Sequence, residues 1–394
     1  MRKIYLQKIK TQVARANTIR NINKQIVLNY VREREPISRA EIAKETALQR
    51  STVSSIVNSL IEEGFIKEVG AGESSGGRKP TMLELRTDEA VAIGVDITPT
   101  LTTIATANLG GKIIEQESFK TSPDRDETFG NIVKTLKKIQ AKFKNDEIQI
   151  GISVPGLVDE VSGVVTYVPF FQWKNWKLKQ ELENLTGLTV FVDNDANAIA
   201  LAESWFGKPE VSGVKSFITV LIAEGIGTGI FLDGKVFRGN KGAAGEFGHM
   251  FVGENNDVAC SCGSTHCWEA FASNNATVKR FNALTGKRVK DVSRIFALAS
   301  EGNQDAVRVV NEVTKYLGLG IVNLIVGLNP EAIVLSGKIT SIWSLVEKQL
   351  TETIRENIKQ KLPPTIIKAS TLGDFTTMIG AISLSLINKF ASPH

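Results

Sequence analysis

Val53, Ile56, Val57, Leu60 and Ile61 recur at helical spacing and make one apolar stripe. The opposite face carries Gln49, Arg50, Ser51, Thr52, Ser54, Ser55 and Asn58. This pattern predicts a helix from about Arg50 to Glu63, ended by Gly64. Upstream, Ser38 and Glu41 form a capping box, and Ile37 and Ile42 are placed as its hydrophobic staple. A shorter helix, about Arg39 to Glu45, is therefore expected, joined to the next by a turn over Thr46 to Gln49. A helix from about Thr18 to Glu35 precedes the pair, placed to pack it and to extend toward a dimer mate. Phe65 to Val69 and Thr81 to Leu85 read as strands joined by Gly70 through Pro80.

The pattern changes beyond residue 86, where strand-like runs alternate with glycine-rich turns and helical stretches. Ala90 to Ile97, Leu101 to Ala107, the turn Asn108 to Gly111 and Ile113 to Phe119 form one set. Ser216 to Ala223, the glycine-rich turn Gly225 to Gly229, Ile230 to Leu232, Asp233-Gly234 and Val236-Phe237 repeat that order. Two hairpin-rich strand sets, each followed by helices, predict an α/β body of two similar lobes around a cleft. The expected division is residues 1–86 as one domain and 87–394 as the second.

Two helices joined by a short turn and followed by a strand pair form a winged helix-turn-helix, and the residues of the second helix suit DNA. Small Ser and Thr side chains permit close approach to phosphates, while Arg50 and Gln49 are long enough for base edges. A merely solvated helix face would favour Glu and Lys, the stronger helix formers. The wing tip, Ser74 to Pro80, holds Arg78 and Lys79 on a glycine-rich strap, with Arg78 the expected minor-groove probe. Lys8, Lys10 and Arg15 lie in a basic N-terminal stretch that can add phosphate contacts. Charge points the same way. Residues 1–86 hold 16 Lys and Arg against 9 Asp and Glu, a balance of +7 within a net +5 for 394 residues.

Apolar residues at 42% and charged residues at 23% are ordinary for a globular protein. No apolar run is expected to reach the ~20 residues of a membrane span, and the basic N-terminus lacks the apolar core of a secretory signal. Three clustered cysteines without a disulfide framework imply a reducing, cytoplasmic setting.

Cys260, Cys262 and Cys267 are the only cysteines, they fall within eight positions, and His249 stands eleven residues ahead. Three thiolates and one imidazole are the ligand set of a closed tetrahedral zinc site, which leaves no open position for water. The expected cofactor is one structural zinc per chain.

Glu246, Gly248 and His249 before these cysteines, Gly263 among them, and Trp268 and Glu269 after them resemble the zinc loop of the ROK family of sugar kinases and sugar-responsive repressors. The likeness extends over nearly the whole chain and favours the repressor branch, of the xylose-responsive type. His266 departs from the family's usual glycine before the last cysteine and is a potential competing ligand. The resemblance implies an actin-like fold, with a sugar bound by Asn194, Asp195, Glu246, His249 and Glu269. In the family's kinases the aspartate matching Asp195 takes the proton from the hydroxyl being phosphorylated. The ATP-binding turns, however, are altered. Ile97, Thr98, Pro99 and Thr100 follow Asp96 where glycines and a threonine are usual, and Pro99 has no N–H. Glu224 stands before the second turn, Gly225 to Gly229, where a carboxylate repels a triphosphate. The third glycine pair is reduced to Ser336-Gly337, followed by Lys338. Ser153 to Asp159 resembles the family's cleft-floor loop, while Pro169-Phe170 replaces its usual Pro-Asn. Phe170, Phe171, Trp173 and Trp176 are either stacking groups or core.

The leading expectation is a non-enzymatic repressor of carbohydrate-metabolism genes, a homodimer or higher homo-oligomer on double-stranded operator DNA, controlled by a sugar in the cleft. The alternatives are an ATP-dependent sugar kinase with an appended DNA-binding module, which Asp195 favours, and a docking platform for a protein partner.

Overall fold

The structure, a computed structural model, describes residues 16–72, 79–87, 91–142, 148–254 and 257–387. It divides into two compact units, one of residues 1–89 together with the chain from Ile387 on and the other Ala90–Leu386. In the first, α1 (Ala16–Arg34), α2 (Arg39–Thr46) and α3 (Arg50–Glu62) precede β2 (Ile66–Ala71) and β3 (Thr81–Leu85). A two-residue strand that the periodicity is too short to reveal, β1 (Ile37–Ser38), pairs antiparallel with β3, which pairs in turn with β2. The capping box is formed: Ser38 Oγ accepts from the Glu41 amide, and the Glu41 carboxylate accepts from the Ser38 amide at 2.8 Å. Val27 and Val31 of α1, Ile42 of α2, Val53, Val57 and Leu60 of α3, and Leu83 of β3 are fully buried, so one apolar core fixes all three helices.

The second unit begins with β4 (Ala92–Ile97), β5 (Leu101–Ala107), β6 (Ile113–Lys120), α4 (Arg125–Gln140) and β7 (Gln149–Val154). There follow β8 (Leu157–Asp159), β9 (Val164–Val168), β10 (Trp173–Trp176), α5 (Leu178–Thr186), β11 (Val190–Asn194), α6 (Asp195–Phe206) and α7 (Pro209–Ser212). The second half comprises β12 (Ser216–Ile222), β13 (Ile226–Leu232), β14 (Lys235–Val236), α8 (Trp268–Ala272), α9 (Asn274–Thr285), α10 (Val292–Ser300) and α11 (Gln304–Leu328), then β15 (Ala332–Gly337), α12 (Trp343–Asn357), β16 (Ile366–Ala369) and α13 (Thr376–Ser385).

Two five-stranded sheets, ordered β6-β5-β4-β7-β11 and β14-β13-β12-β15-β16, share one topology. In each, an antiparallel three-strand meander is extended by two parallel strands, as the internal repeat predicts. Helix α13 packs on β4 and β7, α6 packs on β12 and β13, and the two helices pack on each other between the sheets. A buried ion pair adds a polar tie. Arg238, just after β14, donates to Asp193 Oδ2 on β11 from Nε at 2.8 Å and Nη2 at 2.7 Å.

Two expectations change. The glycine-rich stretch read as the turn Gly225 to Gly229 is mostly strand: β13 starts at Ile226, and the reversal is confined to Ala223–Gly225. Glycines at 227 and 229 are small because α6 lies on them, with Ala196 against both. Further, α11 is 25 residues long and is by length and composition apolar enough to cross a membrane. It is instead the central core helix of the second half, burying Val309, Val313, Leu317, Ile321 and Leu324.

Gly320 of α11 faces the fully buried Trp268 indole so closely that a Cβ there would sit 2.0 Å from the ring. Gly320→Ala should therefore force the indole or α11 to shift and lower stability by about 1–3 kcal/mol or more, measured by urea unfolding of the full chain.

Candidate functional site

Gln49 N-caps α3 without using its side chain, so its amide is left for other partners. Gln49, Arg50, Ser51, Ser55 and Asn58 are exposed, and Thr52 and Ser54 are half-buried at the edge of the same face. Arg50 makes no hydrogen bond or ion pair among the described residues. One participant escapes the helical pattern because it lies on α2. Arg39 donates to Asn58 Oδ1 at 3.0 Å and to Glu68 Oε1 of β2 at 2.9 Å, joining α2, α3 and the wing in one polar cluster. Lys79 is exposed at the start of the returning wing strand, whereas Arg78, Lys8, Lys10 and Arg15 lie outside the described residues.

In the second unit a cleft of about 490 Å3 gathers residues from both sheets. Asn194 ends β11 and caps α6: its Oδ1 accepts from the Ala196 and Asn197 amides, and its Nδ2 donates to the Gly156 carbonyl at 3.1 Å. The capping role thus falls to Asn194. Asp195, the first residue of α6, uses only one oxygen locally, accepting from the Ala196 amide at 2.8 Å. It lies half-buried in the cleft wall. Desolvation first, with the negative charges of Asp96, Glu224 and Glu246 adding to it, pushes the Asp195 carboxyl up to about 7 against the opposing pull of that amide.

Asp96, at the end of β4, is buried and accepts from Ser153 Oγ and Thr377 Oγ1, both at 2.6 Å. Burial raises its pKa although both hydroxyls oppose the rise. The turn after it is closed on itself, with Thr98 Oγ1 donating to the Leu101 carbonyl at 2.8 Å. Pro99 lines the cleft where an N–H would be needed for an anion. Glu224 lines it from the β12–β13 reversal. The third departure points elsewhere, since Lys338 pairs with Asp291 at 2.9 Å. Phe170 lines the cleft, whereas Trp173 and Trp176 are core and Phe171 stacks on Trp173 with ring centres 4.6 Å apart.

One ligand atom each from His249, Cys260, Cys262 and Cys267 lies within 4.8 Å of the others. His249 Nδ1 is 3.2 Å from Cys260 Sγ, and Cys262 Sγ is 3.5 Å from Cys267 Sγ. A tetrahedral zinc with ~2.3 Å bonds to sulfur sets thiolates about 3.8 Å apart, so the cluster has the right donors and nearly the right dimensions. Burial, with the Glu269 carboxylate beside it, pushes the Cys260 thiol far above its usual range. A cation held at the cluster would supply the charge that makes these sulfurs thiolates. The other ring nitrogen of His249 lies 3.6 Å from Glu246 Oε2, the carboxylate–histidine arrangement that orients a metal-binding imidazole. His266 stands outside the cluster, its Nδ1 3.3 Å from the Gly253 carbonyl. Glu269 is more engaged than a free ligand-binding carboxylate. Its Oε1 accepts from the Ser261 amide and hydroxyl at 3.0 and 2.9 Å, and its Oε2 accepts from the Ile226 amide at 3.3 Å.

The ROK family profile matches residues 92–387, and that of the winged helix-turn-helix DNA-binding domain matches residues 20–67. The chain belongs to the ROK family. It is 33% identical to the xylose repressor of Caldicellulosiruptor bescii, across 95% of this chain and 98% of that protein. The solved structure of a ROK family transcriptional regulator, a homologue of the Escherichia coli MLC protein, superposes with a TM-score of 0.78 at 28% identity, covering 95% of this chain and 98% of its own. A ROK family glucokinase from Streptomyces griseus, solved in complex with glucose and AMPPNP, gives a TM-score of 0.67 at 27% identity, covering 75% of this chain and 98% of its own. The winged helix-turn-helix in front of the ROK domain is thus shared with repressors of the family over almost the whole chain, and the protein is a ROK repressor rather than a kinase.

Asp195 generates a pH signature. Its folded pKa of about 7 lies above the ordinary 3.8, so the native chain holds a proton that the unfolded chain has released. Stability from this group is full below the ordinary value and is lost as pH rises toward 7. Asp195→Asn should flatten the fall of Tm between about pH 4 and pH 7, read by thermal unfolding across buffers. Parallel profiles for the two proteins would show that this carboxyl titrates normally.

Proposed function

We propose that this protein is a cytoplasmic, zinc-stabilised repressor of carbohydrate-metabolism genes that acts as a homodimer or higher homo-oligomer, with a sugar, xylose first among the candidates, as its effector. The observation that carries this reading is the pairing of a DNA-reading helix with a cleft whose polyol-binding side is intact and whose phosphate-binding turns are spoiled. Gln49, Arg50, Ser51, Thr52, Ser54, Ser55 and Asn58 enter the major groove, and Arg78 and Lys79 follow the adjacent minor groove and backbone. Two such units on a palindrome must match half-sites about one helical turn apart, or a multiple of it, so a small rotation of the paired domains breaks the register.

In the cleft, Asp195 and Glu246 accept hydroxyl hydrogens, His249 holds the wall to the metal, and Asn194 and Glu269 set the backbone that frames the sugar. A carboxylate acceptor forks onto adjacent hydroxyls, as a polyol requires. For release, the sugar must bind the cleft conformer that misplaces the DNA-reading helices better than the one that fits the operator. His249, Cys260, Cys262 and Cys267 would hold zinc, whose chemistry here is structural: it neutralises buried thiolates and fixes the loop bearing Glu269.

The deciding experiment titrates the purified protein onto DNA from upstream of its own gene, with pentoses, hexoses and their phosphates added. Specific binding released by one sugar is expected; binding insensitive to every sugar would overturn the effector assignment. Arg50→Ala should weaken specific binding by about 1–3 kcal/mol, and Arg78→Ala should mainly reduce preference for A·T-rich flanks, both read by fluorescence anisotropy. Unchanged affinity in both variants would remove the winged helix from the interface. Metal analysis should find one zinc per chain. Cys260→Ser should lose it, lower Tm and weaken the effector response, and an undiminished response in the zinc-free protein would sever the loop from sensing.

A further inference from the structure

The cleft wall carries no lysine or arginine side chain. Its carboxylates are Asp195, Glu224, Glu246 and Glu269. Three of these have local attachments: Glu269 to Ile226 and Ser261, Glu246 beside His249, and Asp195 to the Ala196 amide. Glu224 differs, having no hydrogen-bond or ion-pair partner among the described residues. Nor is it free to retreat with its backbone. The reversal that carries it is closed by the Ala223 amide donating to the Gly225 carbonyl at 2.9 Å, and the next residue donates to Glu269 at 3.3 Å. The Glu224 charge is close enough to Asp195 to add to the electrostatic load on that carboxyl.

We propose that Glu224 is a specificity-determining residue of the effector site: together with Asp195 it reads hydroxyls of a neutral, unphosphorylated sugar and excludes the phosphate ester of the same sugar. This rests on the effector-cleft reading above and names the chemistry that reading leaves open. A half-buried carboxylate without a partner gains most from a ligand that brings donors, and a sugar hydroxyl is such a donor. The phosphoryl group of an ester brings close to two negative charges and mainly acceptors in place of a hydroxyl donor, and no lysine or arginine among the described wall residues compensates. Even one pair of unit like charges about 5 Å apart at an effective dielectric of about 20 reduces affinity by more than about 100-fold. The residue that spoils the second phosphate turn therefore also reads the effector. Substituting one carboxylate removes triphosphate binding and adds a hydroxyl acceptor at the same point.

The test is calorimetric titration of the full-length protein with D-xylose, D-glucose and N-acetylglucosamine, each beside its 5- or 6-phosphate. One free sugar should bind, and its phosphate should bind more weakly by about 100-fold or more. Glu224→Gln, which keeps the shape and removes the charge, should narrow that ratio by about tenfold or more, while Glu224→Asp should largely keep it. Circular dichroism of both variants separates a change in recognition from a failure to fold. A phosphate ester bound as tightly as its free sugar would overturn the proposal, as would an unchanged ratio in Glu224→Gln. Absence of any sugar binding to the unsubstituted protein would instead overturn the effector reading on which the proposal stands.

Discussion

The carboxylate of Glu269 accepts hydrogen bonds from Ser261 in the thiolate loop and from Ile226 at the start of β13, and this double attachment makes the loop part of the cleft wall. Its position has its own support. Trp268, the residue before it, is fully buried, donates from its indole to the Tyr316 carbonyl at 2.9 Å and lies against Gly320. The His249–Cys260–Cys262–Cys267 cluster, the β12–β13 hairpin and the central helix α11 are therefore tied to one another by two adjacent side chains.

Electrostatics set the character of this cleft. Desolvation and neighbouring carboxylates raise Asp195, burial raises Asp96, and among the described residues the wall holds no lysine or arginine to offset them. Such a cleft is costly to ionise and costly to fill with an anion, but it is well provided with acceptors for hydroxyl hydrogens. The charge that a kinase needs at its phosphate turns is missing here, and the freed space is occupied by acceptors. The Asp193–Arg238 pair shows how the fold treats an interior charge elsewhere: there the carboxylate has its own guanidinium.

In the first unit the corresponding constraint is smaller. Arg39 holds Asn58 and Glu68 at once, so the angle between α2, α3 and the wing strand is set by a guanidinium as well as by the apolar core. An exposed ion pair adds little stability on its own. Its consequence is geometric, because it orients one of the amides that would meet DNA while leaving Arg50 unattached.

The sequence alone determined whatever depends on short-range pattern: the capping box at Ser38 and Glu41, the apolar stripe of α3, the repeated strand sets of the two lobes, and a ligand set whose three cysteines lie within eight positions. These signals are local in the chain, so chain order carries them. What required tertiary structure was how donors and acceptors are shared between distant segments. The sequence makes Asn194 and Glu269 candidate ligand contacts, and the fold also gives each a structural hydrogen bond, at the N-terminus of α6 and at a strand amide of β13. The glycines of 225–229 suggested a turn, yet α6 lying on β13 is what demands small residues there. Arg39 was overlooked because its partners, Asn58 and Glu68, are brought to it only when the wing folds back. Hydrogen bonds between residues dozens of positions apart leave no periodic trace in a sequence, and for this protein they decide which side chains remain free to meet a ligand.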